Sequence, residues 1–203
     1  MAETRATSIY LIRHPEPEGG AGLCYGSLDL PLSEKGRRQA AALAESMQEK
    51  SLAPVYTSPL QRCRRAAELL APQCEVVDDL RELDHGEWEG RTYDEIAASD
   101  AVRYRQWMER PCEVRFPRGE SLADLRQRVL AVAAAIRGRH EGETVAIVTH
   151  VGPIRVLLAE ALGMALENMF RIGQSYAGVN LIRYWGDATL VEYVNREAYL
   201  AAR

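Results

Sequence analysis

The amino-acid sequence predicts an α/β fold: a three-layer α/β/α sandwich with a mostly parallel sheet and an antiparallel edge strand. Strand-like runs alternate with helical segments along the chain, which is typical of a parallel sheet covered by helices. The run Val145–Val148 is apolar throughout, as expected for a central strand that is buried on both faces. Two late strand-like runs are separated only by Gly186-Asp187 and close neighbours, which favours a hairpin at the edge.

Six segments are predicted as strands, because short apolar or β-branched runs lie between turn-forming residues. In chain order these are Ile9–Arg13, Val55–Ser58, Glu75–Val77, Thr144–Thr149, Val179–Tyr184 and Thr189–Val194. Four amphipathic segments with capping signals are predicted as helices between them. They cover residues 33–49 behind the cap Ser33, 58–70 with Ser58 as cap and Pro59 as first residue, the segment from the Ser121/Asp124 capping box to Ile136, and Gly152-Pro153 to Leu162, ended by Gly163.

Residues 84–120 are less regular and rich in Arg, Glu, Trp and Tyr. We expect helices and loops here, inserted over the active edge of a single domain that spans residues 1–203. The composition is that of a globular protein, with 203 residues and 47% hydrophobic content. The formal net charge of −4 argues against a nucleic-acid partner, whose binding proteins are usually basic.

The sequence also indicates a cytoplasmic protein. It has no stretch of eighteen apolar residues, which disfavours a membrane span, and its N-terminus lacks the apolar core of a signal peptide. None of the cysteines forms a C-x-x-C pair, so reduced thiols are expected and a zinc site that joins a cysteine to a histidine is disfavoured. The four are Cys24, Cys63, Cys74 and Cys112.

Basic residues gather at the predicted carboxyl edge of the sheet. Arg13 and His14 end the first strand, Arg62 lies in the helix after the second, and His150 follows the strand 144–149. Catalytic groups of open α/β folds lie at this edge, where helix N-termini also favour anions. Because guanidinium groups match phosphate oxygens, the sequence predicts a pocket for a phosphorylated ligand.

A phosphoester also needs a proton for its leaving oxygen, which a carboxyl group can supply. Glu82, Asp84, Glu87 and Glu89 all follow the third predicted strand, and spacing alone does not separate them. The other arginines and histidines have plainer interpretations. Arg64 and Arg65 are expected on a solvated helix face, His85 beside the site without a chemical role, and His140 in a surface loop.

An ordered set of motifs resembles the histidine phosphatase superfamily and its phosphoglycerate mutase-like fold. These are Leu11-Ile-Arg-His14, Tyr25-Gly-Ser-Leu-Asp-Leu-Pro-Leu-Ser-Glu-Lys-Gly36, Thr57-Ser-Pro-Leu-Gln-Arg62, Leu80-Arg-Glu82 through Gly86-Glu-Trp-Glu-Gly90, Gly119-Glu-Ser-Leu122 and Thr149-His-Val-Gly152. The segment from Gly22 to Leu32 is most similar to the α-ribazole phosphatase branch. The resemblance implies that His14 is the nucleophile and becomes phosphohistidine, and that Glu82 is the proton donor. It also implies that Arg13, Arg62 and His150 hold the phosphoryl group.

The sequence departs from the family pattern directly after the nucleophile. Pro15, Glu16 and Pro17 stand where Gly, Glu and Thr are usual, and no Asn occurs between Pro15 and Asn168. One side-chain contact and one backbone N–H near the phosphate are therefore absent. We expect Tyr25, Gly26 and Ser58 to compensate, with Tyr25 and Gly26 among the phosphate-binding residues.

The resulting expectation is a phosphomonoesterase that needs neither a metal nor an organic cofactor and acts on a small phosphorylated metabolite, such as α-ribazole 5′-phosphate. A homo-oligomer is compatible with the sequence. A phosphoglycerate mutase is the nearest alternative, although Arg103, Arg105, Arg110 and Arg115 form no mutase-like motif. A non-catalytic phosphate-binding protein on the same fold is an alternative of another class. A dinucleotide-binding domain is disfavoured, since no G-x-G-x-x-G follows the first strand.

Overall fold

Six strands form one sheet in the protein, whose computed structural model describes residues 5–50, 52 and 54–197. The strands are β1 (Thr7–Arg13), β2 (Val55–Thr57), β3 (Glu75–Val76), β4 (Thr144–Thr149), β5 (Val179–Trp185) and β6 (Ala188–Arg196). Their order across the sheet is β3-β2-β4-β1-β5-β6. The strands β1 to β4 pair in parallel, whereas β5 and β6 are antiparallel. The predicted fold class is confirmed, including the hairpin at one edge.

Helices follow the strands in the expected order. They are α1 (Glu34–Met47), α2 (Gln61–Leu70), α3 (Tyr93–Ser99), α4 (Ala101–Glu109), α5 (Leu122–Arg139) and α6 (Val151–Ala161). Short 3-10 turns lie at Gln48–Lys50, Asp78–Leu80, Gly86–Trp88, Pro111–Glu113 and Leu166–Arg171. The irregular stretch 84–120 thus contains α3, α4 and two of these turns.

The predicted capping residues are confirmed at two helix starts and at one helix end. The Ser33 hydroxyl accepts a hydrogen bond from Gly36 N at 2.9 Å, and Ser121 and Asp124 form a reciprocal capping box. Gly163, with φ of +62°, follows the last residues of α6. These local bonds satisfy backbone N–H groups that a helix start leaves without partners.

Two local predictions are wrong. Helix α2 begins at Gln61 rather than Pro59, because Ser58 is engaged elsewhere and Asp29 from a distant loop accepts from Gln61 N at 2.7 Å. His140 is not a surface loop residue. It ends α5, and its ring lies between the Tyr56 hydroxyl and the Glu143 carboxylate, at 2.7 Å from each.

The core divides into one cluster on each face of the sheet. Ile9, Leu11 and Ile147 face α5 and α6, whereas Ile12 and Val148 face α1 and α2. Successive strand residues therefore point to opposite helix layers, as strand geometry requires. This packing leaves the carboxyl ends of β1, β2 and β4 at one common edge.

No helix of the described residues is long and apolar enough to cross a membrane. The four cysteines are free thiols, and Cys24 and Cys63 are buried.

Candidate active site

The ends of β1 and β4 bring two histidines together. The His14 backbone N–H donates to Thr149 O at 2.9 Å, so both strands deliver their next residue to one point. The ring centroids of His14 and His150 are 5.0 Å apart, and both side chains are buried. The structure therefore places both predicted histidines in one pocket.

His14 has a defined tautomer because a backbone carbonyl fixes one ring nitrogen. Nδ1 lies 2.8 Å from Pro15 O, which can only accept, so Nδ1 carries the proton. Nε2 then holds a free lone pair. Burial and the nearby charges of Arg62 and Arg13 lower the pKa of His14 well below 6.5, so the ring is neutral near neutral pH.

His150 is held by the side chains of Ser58 and Cys63. Its Nε2 lies 2.8 Å from Ser58 Oγ and 3.3 Å from Cys63 Sγ. Burial, followed by the charge of Arg62, lowers the pKa of His150 well below 6.5. Ser58 therefore orients a histidine and does not serve as the helix cap that the sequence suggested.

Arg62 is fully buried near the start of α2, unlike its neighbours Arg64 and Arg65, which are exposed and pair with Glu68. Its Nη2 donates to Gly26 O at 2.8 Å, whereas its buried Nε has no partner among the described residues. A buried guanidinium without a carboxylate partner favours an anionic ligand.

Arg13 is held by a loop near the C-terminal hairpin. Its guanidinium donates to Gln174 O and lies 4.1 Å from the ring centroid of Tyr176. The Tyr176 hydroxyl is 2.7 Å from that of Tyr25, so the two phenols join across the site. Tyr176 was missed by the sequence analysis because no motif links residue 176 to the first strand.

We call Arg13, His14, Arg62 and His150 the His–Arg cluster. Helix α6 begins directly after His150, so its first N–H groups lie beside the cluster. Neutral histidines, two guanidinium groups and a helix N-terminus come together at the predicted edge, and this arrangement favours an anionic ligand.

Glu82 lies at the same helix start. Its carboxylate accepts from Gly152 N at 3.1 and 3.2 Å and from Leu83 N at 2.9 Å. A Cβ atom at Gly152 would lie 2.2 Å from Glu82 Oε1, so glycine is required for this approach. The backbone N–H groups of Leu83 and Gly152 thus hold the Glu82 carboxylate beside the cluster.

The other three carboxylates are engaged elsewhere. Asp84 accepts from Gly86 N at 2.8 Å, and Glu87 pairs with the exposed Arg118. Glu89 accepts from the backbone N–H groups of Ser27 and His85 at 2.9 and 3.0 Å. These contacts favour Glu82 among the four predicted candidates for the acid.

Gly26 allows a close approach of two loops. A Cβ atom there would lie 1.9 Å from Leu83 O, so no other residue fits without moving the chain. Gly26 O in turn accepts from Arg62. The structure therefore brings Tyr25 and Gly26 to the cluster, where Gly26 contacts the arginine.

A cavity of about 220 Å³ is lined by Glu82 and by the first residues of α6, which follow His150. Its walls come mainly from the stretch 84–120, the start of α6 and the turn Leu166–Arg171, and include Tyr93, Trp107, Phe170, His85 and Arg155. We call it the aromatic cavity. Glu82 thus lies between the His–Arg cluster and the aromatic cavity.

Metal ligands are not grouped in this site. Among the described residues, no three His, Cys, Asp or Glu side chains come close enough together to hold a metal ion. The contact between Cys63 and His150 brings together only two such donors.

Comparison with known proteins adds to this geometry. Residues 9–197 match the histidine phosphatase superfamily (branch 1). The chain belongs to this superfamily. The predicted family and enzyme class are therefore confirmed: the protein is a phosphatase with a phosphoglycerate mutase-like fold.

Relatives of this histidine phosphatase carry several different names. Phosphoserine phosphatase 1 of Hydrogenobacter thermophilus is 35% identical over 179 residues, which are 86% of this chain and 85% of that protein. The solved structure of Bacillus stearothermophilus YhfR is 32% identical, with a TM-score of 0.86 over 95% of this chain and 99% of that one. The α-ribazole phosphatase from Shigella flexneri is 26% identical, with a TM-score of 0.85 over 94% and 96%.

Proposed function

We propose that this phosphatase is a metal-independent phosphomonoesterase that acts through a phosphohistidine on His14, within one catalytic domain spanning residues 1–203. The observation that carries the proposal is the contact between His14 Nδ1 and Pro15 O, at 2.8 Å. It leaves Nε2 unprotonated beside two guanidinium groups, as a nucleophile needs to be.

In the first step, His14 Nε2 attacks phosphorus in line with the ester bond. The N–P bond forms as the P–O bond to the leaving group breaks, and the protonated Glu82 carboxyl group gives its proton to that oxygen. Arg13, Arg62 and His150 bind the three peripheral oxygens, where charge must be stabilised in phosphoryl transfer. The guanidinium groups supply the positive charge that a metal ion supplies in other phosphoryl-transfer sites.

In the second step, water attacks the phosphohistidine from the position that the leaving group has vacated. Glu82, now a carboxylate, takes a proton from this water, the N–P bond breaks and inorganic phosphate leaves. We propose that Tyr25 and Gly26 complete the phosphate site in place of the missing Asn. The Tyr25 hydroxyl contacts Tyr176 at the rim, and Gly26 holds Arg62.

The substrate that we propose is a small phosphorylated metabolite. The name of the Shigella flexneri relative supports α-ribazole 5′-phosphate as one candidate. The cavity of about 220 Å³ supports more compact alcohols, since pockets for drug-sized ligands measure about 300–1,000 Å³. A ribazole group would extend beyond the cavity toward solvent.

Purified protein should be assayed for phosphate release from an aryl phosphate and a panel of alkyl phosphates, in excess EDTA. We expect turnover to persist in EDTA and to be lost in His14→Ala. Activity that the chelator abolishes and a divalent ion restores would contradict the mechanism. Transfer of the phosphoryl group to a second alcohol, without phosphate release, would instead indicate a mutase.

A further inference from the structure

Tyr176 lies against two members of the His–Arg cluster, although no motif in the sequence assigns a role to it. The Arg13 guanidinium carbon lies 4.1 Å from the centroid of the Tyr176 ring, and the centroid of the His14 ring lies 5.7 Å from it. A guanidinium group this close to an aromatic ring is attracted to the negative face of the ring. The phenol ring therefore covers one face of the Arg13 guanidinium and limits how far this group can move.

The turn that carries Tyr176 is joined to the end of β1 by backbone hydrogen bonds. Ala177 N donates to His14 O at 3.3 Å, and Arg13 N donates to Gly178 O at 3.0 Å. Ala177 has a φ of +56°, a left-handed conformation that residues other than glycine seldom adopt unless their surroundings hold them there. The position of Tyr176 is therefore coupled to the two cluster residues that its ring contacts.

The contacts of Arg13 leave one edge of its guanidinium for a ligand. One terminal amino group donates to Gln174 O, whereas the buried Nε has no partner among the described residues. A buried N–H group without an acceptor is costly unless a ligand supplies one. The ring of Tyr176 and the carbonyl of Gln174 thus fix the plane of the guanidinium, while its Nε edge stays available for a phosphate oxygen.

A second phenol holds Tyr176 from the opposite loop. The hydroxyl groups of Tyr25 and Tyr176 are 2.7 Å apart, and the Arg62 guanidinium carbon lies 5.4 Å from the centroid of the Tyr25 ring. Burial, followed by the hydrogen bond with Tyr176, raises the pKa of Tyr25 above that of a free phenol, so both partners stay neutral near neutral pH. We call Tyr25 and Tyr176 the phenol bridge, because each lies against one of the two phosphate-site arginines.

We propose that Tyr176 is a positioning residue that holds the Arg13 guanidinium in the plane in which it binds phosphate, and that Tyr25 supports it through the phenol bridge. This inference rests on the proposed function, because it concerns the phosphate half of the same site. The family's usual Asn is absent from this site, so phosphate binding depends more strongly on the order of the arginines. Tyr176 acts through Arg13 and takes no part in the chemical steps.

The affinity for inorganic phosphate measures this role without requiring turnover. Tyr176→Leu removes both the stacked ring and the hydroxyl group, so the dissociation constant in a calorimetric titration should rise by about 3- to 30-fold, the range for a stacked guanidinium. Tyr176→Phe keeps the ring over Arg13 and should cause a smaller rise. In the Tyr25→Phe background the bridge is already broken, so adding Tyr176→Phe should have no further effect.

A double-mutant cycle shows whether Tyr176 acts through Arg13. The cycle is measured as kcat/KM for an aryl phosphate, because activity can be followed over a wide range. In Arg13→Gln the guanidinium is gone, so Tyr176→Leu should change kcat/KM by less than about twofold in that background. Tyr193→Leu is the matched control, since Tyr193 is paired with Arg196 at 5.5 Å on the outermost strand β6, and it should leave kcat/KM and phosphate affinity unchanged.

Two results would overturn the inference. One is an unchanged affinity for inorganic phosphate in Tyr176→Leu. The other is an equal loss of kcat/KM in Tyr176→Leu with and without the Arg13 guanidinium, which would mean that Tyr176 supports only its own turn. A wild type that binds inorganic phosphate but hydrolyses no phosphate ester would contradict the proposed function, and the titrations would still decide the role of Tyr176.

Discussion

The His–Arg cluster and the aromatic cavity are neighbours that the chain builds in different ways. The cluster lies at the ends of β1 and β4 and the start of α2, where sheet hydrogen bonds fix the backbone. The cavity lies outside the sheet and is formed by loops, short helices and 3-10 turns together with the starts of α5 and α6. Rigid strand ends suit a reaction that needs fixed geometry, whereas loops can change the substrate without changing the chemistry.

The histidines of the two regions differ in charge. In the cluster, burial and nearby arginines lower the pKa values of His14 and His150 well below 6.5. In the cavity, burial alone would lower the pKa of His85, but the side chains of Cys24 and Glu89 outweigh it and raise the pKa to about 10. The comparison teaches that burial keeps a histidine neutral where arginines add to its effect, and that acidic partners can outweigh burial, as at His85.

Glu82 lies at the boundary of the two regions, and its loss should have the largest effect. The leaving group of an alkyl phosphate is a basic alkoxide that needs a proton, whereas the leaving group of a nitrophenyl phosphate, nitrophenolate, departs without one. Glu82→Gln should therefore slow phosphorylation by an alkyl phosphate by about 10²–10⁴-fold and by a nitrophenyl ester clearly less. The measurement is the burst of phosphoenzyme formation, because Glu82 also assists the water step.

Equal slowing by both esters would mean that Glu82 only positions the site. Asp84 or Glu87 would then become the next candidate for the acid.

Arg62 belongs to the cluster alone, so its removal should affect every substrate equally. Arg62→Gln should lower kcat by about 10²–10³-fold, the usual cost of losing one donor to a developing charge. Arg64→Gln is the matched control, since Arg64 lies two residues away on the exposed face of the same helix. A loss that depends on the leaving group would show that Arg62 acts on the cavity as well.

The smallest effect concerns the protonation of the histidines. In nitrogen NMR spectra of histidine-labelled protein at pH 8, His85 should be an imidazolium, because its pKa is about 10. His14 and His150 should remain neutral as the pH falls through 6.5, since their pKa values lie lower. In Glu89→Gln, the titration of His85 should move to lower pH.

The reverse order, with His85 neutral at pH 8 and His14 charged at pH 6.5, would contradict the electrostatic difference between the two regions.

The cluster was predictable from the sequence because topology creates it. Parallel strands bring their carboxyl ends to one edge, so a histidine after β1 and another after β4 meet whatever lies between them. The preference for Glu82 over its neighbours came from the family resemblance, and in the structure it is favoured by contacts with Gly152 and Leu83. Spacing alone could not separate four acids within eight residues.

Contacts between distant loops were not predictable. Tyr176 reaches Arg13 from 163 residues away, and Asp29 replaces Ser58 at the start of α2, since Ser58 contacts His150. Local patterns carry information about caps and faces, but they carry none about which loops close over a site.

Trapping the phosphoenzyme tests the central claim most directly. Wild-type protein should be quenched in base during turnover of an aryl phosphate, digested, and its phosphopeptides examined by mass spectrometry and phosphorus NMR. We predict one acid-labile, base-stable phosphoryl group on Nε2 of His14, because Nδ1 donates to Pro15 O. A phosphoryl group on His150, on a serine or on Nδ1 of His14 would contradict the account.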